Sequence, residues 1–178
     1  MFKNIFFIGG IHGVGKSTIC QQVCREMNIE YLSASELLKW GEINDDVKNK
    51  NVEDITFTQN RLIMGLSNTI QSGKYYLLDG HFCLLNKGNE VENISLDTFK
   101  QINPITLALI LGNITEIKTQ LEKRDNKSYD CDLLEHLQNS ELSYAKYLSR
   151  TLSIPLNLCK NDDYLNILTS LREIIKTN

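Results

Sequence analysis

Residues 5–18 of the 178-residue chain read IFFIGGIHGVGKST. The first four form an apolar run that is typical of a buried β-strand, and residues 16–27 have the apolar spacing of a helix. Between them, Gly10 to Ser17 matches the pattern G-x-x-x-x-G-K-[ST] at every fixed position. A strand, a glycine-rich loop and a helix in this order predict a phosphate-binding loop, called the P-loop below and defined as residues 10–17.

Each part of the P-loop has a physical reason. Glycines let the main chain turn so that its N–H groups point inward as a nest for anionic oxygens, and the helix N-terminus adds further donors. Lys16 is expected to reach the β- and γ-phosphates of a nucleoside triphosphate, and the Ser17 hydroxyl to bind Mg²⁺. The predicted nucleotide contacts are Gly10, Ile11, His12, Gly13, Val14, Gly15, Lys16, Ser17 and Thr18. The alternative is an ordinary glycine-rich turn followed by a chance Lys-Ser pair.

Length and composition favour one soluble domain. The chain is 42% hydrophobic, which is enough for a single core, and its net charge of −3 argues against a large nucleic-acid surface. Its apolar runs are far shorter than the roughly 18 residues of a membrane span, and no signal-peptide pattern opens it. Its five cysteines are scattered, so no disulfide framework is expected. These features predict a cytoplasmic protein without membrane contact.

Apolar strands alternate with helical segments along the chain. The predicted strands cover residues 5–8, 30–33, 75–78, 105–111 and 155–158, whereas residues 86–93 are predicted to be a loop. Alternation of this kind indicates parallel pairing with helices on both faces of the sheet. We therefore predict an α/β protein with the P-loop NTPase fold, a three-layer α/β/α arrangement around a five-stranded parallel sheet, in one domain spanning residues 1–178.

Polar side chains follow the predicted strands at their carboxyl ends, where ligands bind in such sheets. Asp79 comes directly after apolar residues 75–78 and is placed to hold Mg²⁺ opposite Ser17, directly or through water. The alternative for Asp79-Gly80 is a plain turn. His81 is a candidate to contact an acceptor or to act as general base for a hydroxyl, or it simply structures the loop that follows.

The P-loop sequence resembles that of adenylate kinases, in particular the short archaeal type. The resemblance continues, in chain order, through Ser33-Ala34-Ser35-Glu36-Leu37-Leu38-Lys39, Thr58-Gln59-Asn60-Arg61-Leu62, Leu78-Asp79-Gly80-His81, Arg124-Asp125, Glu135-His136-Leu137-Gln138 and Lys160-Asn161. It implies transfer of the γ-phosphate of ATP, with Mg²⁺, to a small acceptor, in the first place a nucleoside monophosphate. It also implies an acceptor-binding helical insertion at about residues 34–72 and a short lid at about residues 124–131.

The same resemblance assigns roles to residues. Lys16, Asp79 and Arg124 would be catalytic, with Arg124 as the lid cation that closes on the transferred phosphoryl group. The alternative for Arg124 is a solvated arginine at a helix end. Asn161 would lie in the loop that contacts adenine. The residues expected to bind the acceptor are Ser33, Lys39, Arg61 and His81.

The chain departs from adenylate kinases in its arginines. Only Arg124 stands in the lid region, with Lys123 and Lys127 as substitutes, and His81 follows Asp79-Gly80 where an arginine is typical. Fewer bidentate donors for phosphate leave room for an unphosphorylated nucleoside or another hydroxyl acceptor. A further alternative is an ATPase switch or assembly factor on the same fold, acting on a protein or RNA partner.

Overall fold

A parallel β-sheet forms the centre of the computed structural model, which describes residues 2–38, 55–86, 88–161 and 163–177. In chain order the elements are β1 (Ile5–Gly9), α1 (Lys16–Met27), β2 (Glu30–Ser33), α2 (described over residues 34–38), α3 (Ile55–Thr69), β3 (Tyr76–Asp79), β4 (Cys83–Leu85), β5 (Val91–Asn93), α4 (Leu96–Ile102), β6 (Thr106–Leu111), α5 (Ile114–Asp125), α6 (Cys131–Leu152), β7 (Leu156–Lys160) and α7 (Tyr164–Thr177).

The sheet has five strands in the order β2-β3-β1-β6-β7, and every neighbouring pair is parallel. The central strand β1 pairs with β3 on one side and β6 on the other, so that Phe6 lies opposite both Leu77 and Thr106. All five residues of β1 are buried, as expected for a parallel strand covered on both faces. The predicted α/β fold with a five-stranded parallel sheet is confirmed.

Helices cover the sheet in two groups. Helix α1 packs against α7, whereas α6 packs against α4 and α5, and α3 packs against α4. Phe7 of β1 joins the sheet to the second group, because its ring lies 5.0 Å from that of Phe82 and 5.1 Å from that of Phe99, centroid to centroid. Among the described residues, no helix combines the length and apolar character needed to cross a lipid bilayer.

A β-hairpin follows β3. Strands β4 and β5 pair antiparallel, with Cys83 opposite Asn93, and the Asn86 side chain closes the turn by accepting hydrogen bonds from the backbone N–H groups of Gly88 and Glu90. The loop predicted for residues 86–93 is therefore wrong at 91–93. Strands of three residues are too short to show an alternation of apolar and polar positions, and this hairpin packs on α6, which is distant in sequence.

Candidate functional site

The P-loop connects the central strand to α1. Ile11 and Val14 point into the core and anchor it, being 0% and 1% exposed. Gly15, immediately before α1, has a φ of 94°, and no described side chain caps the helix there. Because the first N–H groups of a helix have no partner within it, this N-terminus presents donors and a positive dipole end to an anion.

Gly13 lies against α5 and has a φ of 79°. A Cβ atom added to it would lie 2.7 Å from Leu121 Cγ and 3.3 Å from Ile117 Cγ2. We expect Gly13→Ala to lower the free energy of unfolding by about 2–4 kcal/mol, because left-handed backbone strain and overpacking add together. Urea denaturation measures this loss.

Gly15→Ala is the matched control for that variant. Its φ is also positive, but an added Cβ would meet no atom within 4 Å, so only the backbone strain of about 1–2 kcal/mol is expected. Equal losses for the two variants would contradict the tight contact between the P-loop and α5.

Lys16 is buried within the P-loop, with 8% of its surface exposed. Its Nζ donates to the backbone oxygens of Gly10 at 2.6 Å and Ile11 at 3.2 Å. An ammonium group has three donors, so one remains for a phosphate oxygen. Burial lowers the pKa of Lys16, whereas the nearby carboxylates of Asp79 and Glu141 raise it.

Asp79 is buried at the end of β3 and connects three elements. Its Oδ2 accepts hydrogen bonds from Ser17 Oγ at 2.8 Å and from the Tyr31 hydroxyl at 3.0 Å. Tyr31 was not predicted as a site residue. The available signal was its position two residues before Ser33 on β2, because alternate residues of a strand point to the same face. Burial raises the pKa of Tyr31, so its hydroxyl keeps the hydrogen that it donates.

Ser17 and Asp79 together fit a magnesium ion. Hydroxyl and carboxylate oxygens are ligands that Mg²⁺ accepts, and the ion usually takes only one or two carboxylates from the protein beside phosphates and water. Their oxygens lie 2.8 Å apart, which is the length of the hydrogen bond that Ser17 donates to Asp79. The two side chains predicted to hold Mg²⁺ are therefore adjacent, and their binding of the ion stays a prediction.

A cavity of about 420 Å³ opens beside the P-loop, at the carboxyl ends of β2 and β3. Its described lining includes Lys16, Ser17 and Asp79, together with residues of five further elements, β2, α2, α3, β4 and α4. The remaining lining residues are His12, Ser33, Ala34, Ser35, Leu38, Leu62, Gly80, His81, Leu84, Ile94 and Thr98. One cavity therefore joins the predicted phosphate site to two of the residues predicted to bind an acceptor, Ser33 and His81.

Arg61, another residue predicted to bind an acceptor, is not among the described residues that line the cavity. Arg61, on α3, donates from Nη2 to the backbone oxygen of Leu38 at 3.2 Å. Lys39 lies outside the described residues. Acceptor binding by these two side chains stays a prediction.

Two imidazoles stand at the cavity wall. The rings of His12 and His81 are 4.2 Å apart, centroid to centroid, and inclined by 50°. The pKa of His12 is lowered to about 4, first by burial in the cleft and then by repulsion from His81, Lys16 and Arg124. His12 is therefore neutral at pH 7 and adds no positive charge to the P-loop.

Glu141 of α6 lies behind His81 and is fully buried. Its Oε1 is 3.5 Å from His81 Nδ1 and accepts hydrogen bonds from the backbone N–H groups of Phe82 at 2.9 Å and Cys83 at 3.2 Å. The sequence analysis missed this residue. A glutamate in an amphipathic helix is expected at the surface, so no local signal marks it as buried.

Arg124 lies in the last turn of α5, the helix whose Leu121 packs on the P-loop. Its side chain is 59% exposed and donates from Nε and Nη2 to Asp125 at 2.6 and 2.8 Å. Those hydrogen bonds, with one from the Tyr129 hydroxyl, hold the pKa of Asp125 well below its usual range. Residues 126–130 connect α5 to α6. The lid predicted at about residues 124–131 stays a prediction.

Asn161 lies on the other side of the P-loop from the cavity, since it follows β7 while β2 and β3 border the cavity. Its backbone N–H donates to the Leu111 oxygen at 3.0 Å, and its side chain approaches Gly112. Gln138 fixes the same strand end through two hydrogen bonds to the Gly112 backbone, of 2.9 and 3.1 Å. A role for Asn161 next to the base of a nucleotide stays a prediction.

Solved structures with a similar fold include proteins named as kinases. A gluconokinase from Sinorhizobium meliloti 1021 superposes with a TM-score of 0.57 at 12% identity, over 99% of this chain and 95% of its own. A sugar kinase from Janibacter sp. HTCC2649 gives 0.57 at 14% identity, over 98% and 95%. An uncharacterized protein from Eubacterium ventriosum ATCC 27560 gives 0.55 at 13% identity, over 99% and 100%. At these identities the likeness establishes the fold.

Comparison with curated protein sequences gives no match. The AAA domain family, in contrast, matches residues 9–138, which is more than half of the chain and includes the P-loop, Asp79 and Arg124. The chain therefore belongs to the AAA domain family, and its fold is that of the P-loop kinases.

Proposed function

We propose that the protein is a phosphotransferase that moves the γ-phosphate of Mg-ATP to a small acceptor bound in the cavity beside the P-loop. The observation that carries this proposal is the shared cavity, in which Lys16, Ser17 and Asp79 stand beside the polar groups of β2, β3 and α4. A P-loop protein that only hydrolysed ATP would need no such cavity next to the phosphates. The kinase names of two structural neighbours agree with this function.

The chemistry depends on positioning and on neutralising charge, because the transferred phosphoryl group passes through a loose transition state. A bound Mg²⁺ ion would supply positive charge that offsets the charge of the phosphates. Ser17 and Asp79 would hold the ion. The remaining donor of Lys16 would bind the γ-phosphate, and the cavity would align the acceptor oxygen with the bond that breaks.

The described cavity wall favours an acceptor that presents hydroxyl groups. Ser33, Ser35 and Thr98 contribute small hydroxyls, and the Oγ atoms of the two serines lie 2.9 Å apart. Within this part of the wall, Lys16 is the one lysine or arginine, and its ammonium group belongs to the P-loop. A phosphate on the acceptor would need a cation of its own. We therefore infer a sugar-like or nucleoside-like acceptor.

A nucleoside monophosphate is the second candidate, and it is the acceptor implied by the resemblance to adenylate kinases. It would require a phosphate ligand such as Lys39 in addition to the described wall. The two candidates differ in whether the acceptor already carries a phosphate group.

A turnover screen separates these acceptors. The purified chain is mixed with Mg-ATP and with sugars and polyols, nucleosides, nucleoside monophosphates or no acceptor, while ADP release and phosphorylated products are measured. We expect ADP release to rise at least about tenfold with a hydroxyl acceptor, because water is poorly placed to replace it. Turnover with monophosphates alone would support the adenylate kinase type. Acceptor-independent hydrolysis stimulated by a protein or RNA would contradict phosphotransfer.

A further inference from the structure

Glu141 is a buried carboxylate next to the cavity, on the long helix α6. One of its oxygens, Oε1, accepts from the backbone N–H groups of Phe82 and Cys83, which lie where the chain passes from β3 into β4. Its other oxygen, Oε2, is buried and has no hydrogen-bond partner among the described residues. Glu141 therefore fixes the backbone on the C-terminal side of His81.

Fixing that backbone does not require a negative charge. The two N–H groups share a single oxygen, which the amide of a glutamine would also supply. A buried carboxylate is costly unless opposite charges or several hydrogen bonds compensate it. The charge of Glu141 therefore has a use beyond the turn.

Lys16 is one group that this charge affects, and His81 is a second and lies in direct reach of it. Its Nδ1 lies 3.5 Å from Oε1 of Glu141, while its ring lines the cavity with Asp79 and Lys16. An ionised carboxylate only accepts hydrogen bonds, so it favours the tautomer of a neutral imidazole that carries hydrogen on Nδ1. The other nitrogen, Nε2, then has a free lone pair and accepts hydrogen bonds.

We propose that Glu141 is a positioning residue for the acceptor site. It holds His81 in the Nδ1–H form, so that Nε2 accepts a hydrogen bond from the acceptor's hydroxyl group and turns a lone pair of that oxygen toward the γ-phosphorus. The inference rests on the proposed phosphotransfer for its kinetic consequence. The tautomer that it requires does not depend on any acceptor.

The tautomer is measured by long-range ¹H–¹⁵N NMR of histidine-labelled protein at about pH 8, above the ordinary imidazole pKa of about 6.5. The chain has three histidines, and His81→Asn identifies the signals of His81. We expect the Nδ1–H form in the wild type and a shift toward the Nε2–H form in Glu141→Gln, where a neutral amide stands in place of the carboxylate. An Nε2–H form in the wild type would overturn the proposal, whether or not the protein transfers phosphate.

Steady-state kinetics test whether Glu141 positions His81 for the reaction. We expect Glu141→Gln to lower kcat/KM for the acceptor about tenfold, because a neutral amide no longer favours hydrogen on Nδ1 of His81 and Nε2 is then less often free to accept. The Kd for ATP and the Tm should stay near the wild-type values. The matched control is Glu135→Gln, which changes an exposed glutamate of the same helix. It should leave kcat/KM, the Kd for ATP and the Tm at their wild-type values.

A double-mutant cycle decides whether Glu141 acts through His81. We expect Glu141→Gln to add little further loss in a His81→Asn background, because coupled residues are not additive. Losses that multiply would overturn the proposal. Weaker ATP binding in Glu141→Gln with unchanged acceptor kinetics would also overturn the proposal, because Glu141 would then act by keeping Lys16 charged. A wild type that transfers to no acceptor contradicts the proposed function instead, and the NMR measurement still decides the role of Glu141.

Discussion

Lys16→Ala is expected to lower kcat for phosphotransfer by about 10³-fold, the upper range for removing one donor that stabilises developing charge. The ammonium group of Lys16 is held in place by the backbone oxygens of Gly10 and Ile11, so its geometry is prepared before the nucleotide binds. Neighbouring carboxylates oppose the effect of burial on its pKa. No other lysine or arginine of the described cavity wall is placed to substitute for it.

Single-turnover kinetics with saturating Mg-ATP measure this loss, since they separate the chemical step from product release. Lys100→Ala serves as control, because Lys100 lies on α4 with 52% of its side chain exposed and pairs only locally with Asp97. A circular dichroism melt shows whether the Lys16 variant folds. A folded Lys16→Ala protein with wild-type kcat would contradict the assigned role.

Arg124→Ala is expected to lower kcat by roughly 10²-fold, with a smaller effect on the affinity for ATP, as for a group that acts mainly in the transition state. In the structure its guanidinium group binds Asp125 bidentately at the surface. Exposed ion pairs contribute little to stability, so exchanging this carboxylate for a phosphate oxygen costs little. Arg124 also lies in the last turn of α5, the helix that packs on the P-loop. It follows Leu121, which makes that contact, by three residues.

Two further variants serve as controls for Arg124→Ala. Arg124→Lys keeps the charge but loses the bidentate geometry, so it should recover only part of the rate. Arg150→Ala removes another exposed arginine from the last turn of a helix, α6, and should leave kcat unchanged. A wild-type kcat for Arg124→Ala would identify Arg124 as a surface residue that pairs with Asp125.

The parallel sheet was predictable because each strand is recognisable from its own residues. Apolar runs near residues 75–78 and 105–111 became β3 and β6 with ends displaced by only one residue. The P-loop was predictable for the same reason, because Lys16 and Ser17 belong to one continuous segment. The hairpin β4–β5 was not predictable, because its strands are too short to show a pattern and depend on contacts with α6.

The contacts that other elements make around the P-loop join residues that are far apart in sequence. Tyr31 reaches Asp79 across 48 positions, and Glu141 reaches Phe82 across 59. The residue type alone predicts neither contact, because tyrosine is common in strands and glutamate is common on helix surfaces. Strand order brings the first pair together, and the packing of α6 brings the second.

Local sequence is thus enough to specify the α/β architecture and a P-loop at the end of the first strand, since periodicity, glycine positions and the Lys16-Ser17 pair are properties of short segments. Long-range packing alone sets which groups face that loop: the hydroxyl of Tyr31 on Asp79, the carboxylate of Glu141 behind His81, and the hydroxyl-lined wall between them. The reason is physical. Strand order and helix placement result from burying apolar surface contributed by the whole chain, and no single segment contains that information.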